Sequence, residues 1–265
     1  LLLTAPLEAL PLVRRVAVHA YAAGAGLVTP LFSDNEVTLA RYNYANDDSF
    51  DKAAHWLYKG MGEAFDNNTA RMAIVGDDPM LLANQNANKI GRANKANSIA
   101  YKPARERITQ FDVNWNLIAW PGLAWAKLMF PDLSENEAQL KLADAIFKAS
   151  RVNSTDPVAE WKLHNEELWK KCNWLNGKKF SSLHFVGPDT DLTVGLADEH
   201  EWMGGATIAQ NGITCNPNIP SEEVFTTPHA FKVEGWVSST KPLSHQGTLI
   251  DKIQVRFENG KIVDA

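Results

Sequence analysis

Cysteine is nearly absent. The 265 residues include only Cys172 and Cys215, and no Cys-x-x-Cys pair exists. A thiolate zinc site is therefore unsupported, and a disulfide is not implied. Few cysteines in a large chain fit a cytosolic protein, so a cytoplasmic location is expected. Positive charge is also scarce, with 26 Lys and Arg against 31 Asp and Glu, a net −5. Nucleic-acid binding needs clustered cations to neutralise phosphates, and is not expected here. The nearest cluster, Lys89, Arg92, Lys95, Lys102, Arg105 and Arg107, reads as a solvated helix face. No apolar run approaches the ~18–20 residues of a membrane helix, so no membrane partner is expected. Leu1-Leu2-Leu3 is too short for a signal peptide and lacks its basic start. There is no P-loop, no Gly-x-Gly-x-x-Gly after a strand, no Gly-x-Ser-x-Gly elbow and no His-Glu-x-x-His. Internal repeats and low-complexity segments are absent too.

What is present is core. Hydrophobic residues make up 45% of the chain, enough for one large domain or two smaller ones. Leu1-Leu2-Leu3-Thr4 predicts a buried strand. A helix is predicted from Ala5-Pro6, with Pro6 in a first turn that does not need its N–H. Leu10, Val13, Ala17, Ala20 and Tyr21 recur at helical spacing, and Gly24 and Gly26 close the element. Leu27–Phe32 is a short strand, which Pro30 makes an edge or irregular one. Ser33-Asp34-Asn35 opens another helix, and residues 49–63 read as an amphipathic one. Ala70–Gly76 is a buried strand. Asp77-Asp78-Pro79 reads as the start of a polar helix running to about Ala100. Asn116–Trp120 is a strand, followed by helices at about 123–130, 135–149 and 156–175.

Such alternation argues for an α/β domain with a mostly parallel sheet flanked by helices. After Asn176-Gly177 the pattern changes to short strands and turns, at 183–185, 192–195, 231–237 and 253–257. Asn259-Gly260 between apolar runs predicts a hairpin. The domain boundary is placed near residue 177. Residues 1–177 form the α/β domain, and 178–265 form the start of an antiparallel β-rich second domain. The first residue is not Met and the last strand looks cut short. A fragment of a longer protein is therefore expected.

The chemistry concentrates in Asn218-Ile219-Pro220-Ser221-Glu222-Glu223-Val224-Phe225-Thr226-Thr227-Pro228. Carboxylates are hard oxygen donors suited to divalent ions. Strand alternation before Val224 sends Glu222 and Glu223 opposite ways, so at most one enters a given pocket. Spacing alone does not decide which. His229 and His245 are the nearby imidazoles able to ligate a metal or shuttle a proton. Asp189-Thr190-Asp191 reads as a turn, and Lys241 as a solvated loop cation. His164-Asn165-Glu166-Glu167 and His200-Glu201 begin like a metalloprotease helix. Leu168 and Gly204, however, stand where the second His is needed, and both runs read as solvated surface. Trp161, Trp169 and Trp174 on one helix read as core and interdomain packing.

The run Asn218–His229 resembles the Asn-[Ile/Met]-Pro-Thr-Glu-Glu-Val-Phe-Thr-x-Pro-His segment of the aminopeptidase T, aminopeptidase S and PepS family of metallopeptidases. Gly235–Leu243, Gly247–Ile250 and the Leu183–Leu196 stretch are similar to further family motifs, with Asp189 in place of a Gly. Val113-Asn114-Trp115, Trp120-Pro121, Ala124-Trp125-Ala126 and Pro6-Leu7-Glu8-Ala9 match as well. The resemblance covers nearly the whole chain. It implies a homodimeric, two-domain exopeptidase acting on peptides with a free N-terminus through two divalent metal ions (Zn, Co or Mg). It also implies that Glu222 is a metal ligand, with Glu223 as the fallback for that role. Position makes Glu223 a candidate catalytic base. Ser221 replaces a Thr and keeps the hydroxyl. The remaining ligands are expected beyond Ala265, so the isolated 265-residue chain is expected to be inactive. The competing expectation is a non-catalytic dimerisation or substrate-gating domain. A small-molecule binding protein ranks behind both, because no pocket motif supports it.

Overall fold

The Leu-rich start forms strand β1 (Leu2–Pro6). Consecutive strand side chains point to opposite faces, and the core divides accordingly. Leu2 packs with Met61, Phe65, Ala104, Ile108 and Val113. Leu3 and Ala5 pack with Ala9, Val13 and Ile74. The computed structural model describes residues 1–245 and 248–265. Along the chain β1 is followed by α1 (Leu10–Ala22), β2 (Thr29–Ser33), α2 (Asn35–Tyr44), α3 (His55–Asp66), β3 (Arg71–Val75), α4 (Ala87–Thr109) and β4 (Trp115–Ala119). Next come α5 (Leu123–Met129), α6 (Glu135–Ala149), α7 (Pro157–Lys178), β5 (Ser182–Gly187) and β6 (Thr190–Leu196). Short strands follow: β7 (Met203–Gly204), β8 (Thr207–Ile208), β9 (Thr214–Cys215), β10 (Asn218–Ile219) and β11 (Val224–Phe225). The chain then runs through β12 (Pro228–Ser238), β13 (Leu243–His245), β14 (Thr248–Ile250), β15 (Gln254–Glu258) and β16 (Lys261–Asp264).

The fold is α/β, as expected. Two compact units are formed. One holds Leu1–Thr155 and Ala206–Ser221; the other holds Asp156–Gly205, Glu222–His245 and Leu249–Ala265. These units do not follow a single cut near residue 177. Helix α7 groups with the second unit, and residues 206–221 group with the first.

The first unit is built on a five-stranded sheet in the order β10-β4-β3-β1-β2. Every neighbouring pair is parallel. Helices cover both faces, α3 and α4 over Leu2, and α1 over Leu3. Strand β2, with Pro30, lies at the edge where a missing N–H is tolerated. The fifth strand, β10, is not legible in the sequence. Two residues pair with Leu117 and Ile118, and Asn116 Nδ2 donates to the Asn216 carbonyl at 2.6 Å.

Several helix starts differ from the sequence reading. Pro6 ends β1, and the proline inside a first turn is Pro11 of α1. Residues 47–51 form a 3-10 turn, and only residues 55–66 form the helix expected over 49–63. Asp78 does not cap a helix. Its carboxylate accepts from Met80 N at 2.8 Å, a local turn that competes with helix formation. Helix α4 starts instead behind Asn86, whose side chain accepts from Asn88 N and Lys89 N. It continues past Pro103 to Thr109.

The polar face of α4 clamps its neighbours. Arg92 meets Asp47 and Asp51, and Arg107 meets Asp66. The Arg92 hydrogen bond holds the Asp51 carboxyl below its ordinary range, and the Arg107 bond does the same for Asp66. Unfolded Asp titrates near pH ~3.9. The stability these pairs contribute is therefore full above about pH 4 and is lost as pH falls through the depressed folded values. Asp66→Asn should consequently flatten the loss of melting temperature between about pH 4 and pH 2 in calorimetric scans.

The second unit carries an antiparallel sheet in the order β16-β15-β12-β6-β5. The predicted hairpin joins β15 to β16, with Asn259 at φ +49° and Gly260 at φ +74°. Two positive φ values in succession are what an Asn-Gly hairpin turn requires. No helix among the described residues is long and apolar enough to cross a membrane. Cys172 and Cys215 are free thiols.

Candidate functional site

Helix α7 positions the candidate carboxylates. Its start is fixed by Asp156, whose side chain accepts from Val158 N and Ala159 N at 3.1 and 3.0 Å. Pro157 stands in the first turn. Its buried side chains are Trp161, Asn165, Leu168 and Cys172, a stripe at helical spacing. Near its end Asn176 makes two bonds to one backbone unit. Its Oδ1 accepts from Trp202 N at 2.7 Å, and its Nδ2 donates to the Trp202 carbonyl at 3.2 Å. Trp202 leads directly into β7.

Strand β7 pairs with β11, Gly204 opposite Val224 and Met203 opposite Phe225. Thr226 Oγ1 donates to the Glu201 carbonyl at 2.7 Å, closing the same small assembly. The two glycines here have a spatial reason. A methyl added at Gly204 would stand 2.7 Å from the Glu223 carbonyl oxygen. One at Gly205 would stand 2.9 Å from Asn165 Oδ1, on a backbone at φ +70° that L side chains rarely adopt. Gly204→Ala must push the backbone of Glu223 away, at a cost of about 1–3 kcal/mol by overpacking. A lowered melting temperature checks this.

Glu222 stands beside α7. Its Oε2 lies 3.6 Å from His164 Nε2, and the side chains are 62% and 12% exposed, respectively. The His164 ring meets Trp161 edge to face, with centroids 5.4 Å apart and planes at 83°. The sequence reading of His164 as solvated surface is therefore corrected. Three residues after Trp161 and four before Leu168, it sits at the margin of the buried stripe, and that spacing was the signal available. Glu223 is exposed and makes no hydrogen bond or ion pair among the described residues.

The other sequence candidates lie elsewhere or serve the backbone. His229 Nδ1 accepts from Phe231 N at 3.2 Å, and His245 is exposed. Asp189 adopts φ +52° at the β5–β6 turn. Asp191 lies within β6 and meets His184 Nε2 at 2.7 Å, an exposed pair the sequence reading did not find. Lys241 is exposed, as expected. Of the three tryptophans, Trp161 is buried, whereas Trp169 and Trp174 are exposed. His200 Nδ1 faces the Ala197 carbonyl at 2.9 Å.

Glu222 is suited to a divalent ion as a hard, reachable oxygen donor, and the imidazole beside it is a suitable support. No group of three or more His, Cys, Asp or Glu side chains that could hold a metal exists among the described residues. The described residues thus place Glu222 beside one imidazole and form no group of three such ligands.

Against known proteins, the model of the thermophilic metalloprotease (M29) peptidase family matches residues 1–265. The chain belongs to the M29 family. It is 48% identical over 261 residues to aminopeptidase T of Thermus thermophilus, covering 98% of this chain and 64% of that protein. To aminopeptidase 2 of Geobacillus stearothermophilus it is 38% identical over 264 residues, covering 100% and 64%. The solved structure of wild-type AmpT from Thermus thermophilus superposes with a TM-score of 0.91 at 46% identity, over 99% of this chain and 65% of that one. This M29 chain therefore spans about two thirds of the length of these relatives.

Proposed function

We propose that the protein is a metal-dependent aminopeptidase that removes N-terminal residues from peptides bearing a free amine. The observation that carries this reading is the match to aminopeptidase T over 98% of the chain. The placement of Glu222 beside α7 and directly before β11 agrees with it. Two divalent ions, Zn, Co or Mg, are proposed as cofactors, together with a homodimeric, cytoplasmic state. The two free thiols are consistent with that compartment.

In this reading Glu222 donates a carboxylate oxygen to an ion. Metal ions supply Lewis acidity at the scissile carbonyl and lower the pKa of water. Residues 221–223 lie outside any strand, so alternation does not force the two glutamates apart, and Glu223 takes the proton of the attacking water at its carboxylate as general base. It returns that proton to the leaving amine. The pairing of β7 with β11 sets the backbone of Glu223 against Gly204, which limits the reorganisation the reaction needs.

Hydrolysis of leucine p-nitroanilide tests the proposal. The whole protein should turn it over only with divalent metal present. The 265-residue chain should not, because its described residues form no three-ligand group. Turnover unaffected by chelation would remove the metallopeptidase reading. Robust metal-dependent turnover by the 265-residue chain would remove the claim that it needs further donors.

A further inference from the structure

We propose that His164 is a positioning residue for the Glu222 carboxylate. This inference rests on the reading of Glu222 as a metal ligand and adds a residue to it. Three observations meet at one side chain. His164 is nearly covered, 12% exposed, although it lies on a helix whose neighbouring Leu163 is open to solvent. Its ring plane is fixed by the edge-to-face contact with Trp161, itself buried. Its Nε2 points to the Glu222 carboxylate at 3.6 Å.

The physical consequence follows from the mismatch in exposure. Glu222 is open to water and has three side-chain torsions, so alone it would sample many rotamers and lose that freedom on binding an ion. The imidazole beside it is held by packing and cannot follow. A nitrogen at that distance favours the rotamers that keep Oε2 near it. Ligating carboxylates commonly depend on such partners, and removing a partner typically lowers metal affinity by about 10–100-fold. The position of His164 on α7 matters as much as its chemistry. Asp156 fixes the start of that helix, and Asn176 near its end holds Trp202, which leads into β7, the partner of the strand β11 that directly follows the glutamates. Helix and carboxylate are thus parts of one support.

The test uses the whole protein, purified metal-free, with zinc affinity measured by competition against a chromophoric chelator. His164→Ala should weaken zinc binding about 10–100-fold. His164→Gln places an amide nitrogen near the position of Nε2 and should recover most of that loss. Melting temperatures of the metal-free variants separate positioning from folding, since a positioning role leaves the Gln variant near wild type in both readouts. Unchanged zinc affinity in His164→Ala overturns the proposal. Equal loss in both variants, tracking a lowered melting temperature, also overturns it, because His164 would then serve the fold alone. If the Ala variant does not fold, the Gln variant decides: wild-type stability with near wild-type affinity supports the assignment, and wild-type stability with a full loss refutes it. Glu222→Gln is the control on the underlying reading. If that variant binds zinc as wild type does, the ligand role of Glu222 fails, and the positioning role goes with it.

Discussion

Glu222→Gln in the whole protein should lower metal affinity by about 100-fold or more, with a matching loss of turnover at limiting metal. The amide keeps the size of the side chain but removes its charge, and a neutral oxygen is a much poorer donor to a dication. Loss of a neighbour alone costs about 10–100-fold, so loss of the donor should exceed that range. Stability should barely change. The Glu222 side chain is 62% exposed, and the contacts of a charge so open to water contribute little folding energy. Metal analysis of the purified variant by atomic absorption, beside its melting temperature, distinguishes a ligand from a fold-supporting residue. Full metal occupancy in the variant would end the assignment.

Glu223→Gln should separate chemistry from metal binding. A general base contributes about 10²–10⁴-fold, so kcat should fall by that factor while metal content and KM stay close to wild type. A drop in kcat and kcat/KM together is the signature of an interaction made only in the transition state. Glu223 suits the role because no partner among the described residues neutralises it. Its backbone is fixed by close contact with Gly204. Loss of metal in this variant would instead make Glu223 a ligand and exchange the proposed roles of the two glutamates.

Much of the fold was legible because its signals are local. The Leu-Leu-Leu start, the Ser33-Asp34-Asn35 helix opening and the Asn259-Gly260 turn each act within a few residues. The structure contains all of them. Failures occurred where side chains outcompeted local propensity. Asp78 bonds its own turn rather than a helix, so α4 waits for Asn86. Strand β10 has two residues and no pattern of its own, and exists because β4 offers it a free edge. His164 opens a motif that lacks its second His, but its helical spacing to Trp161 and Leu168 sets it at the margin of the buried stripe.

By itself the sequence determined the α/β class, the antiparallel character of the later strands, and the pair of adjacent glutamates with its family resemblance. Periodicity, turn chemistry and residue type are properties of neighbours along the chain, and need no partner to be read. Only the tertiary structure decided which imidazole faces Glu222, why glycines must stand at 204 and 205, and that β10 closes the parallel sheet. Those facts depend on residues tens of positions apart meeting within a few ångströms. Contact at that range is set by packing, which no local pattern encodes.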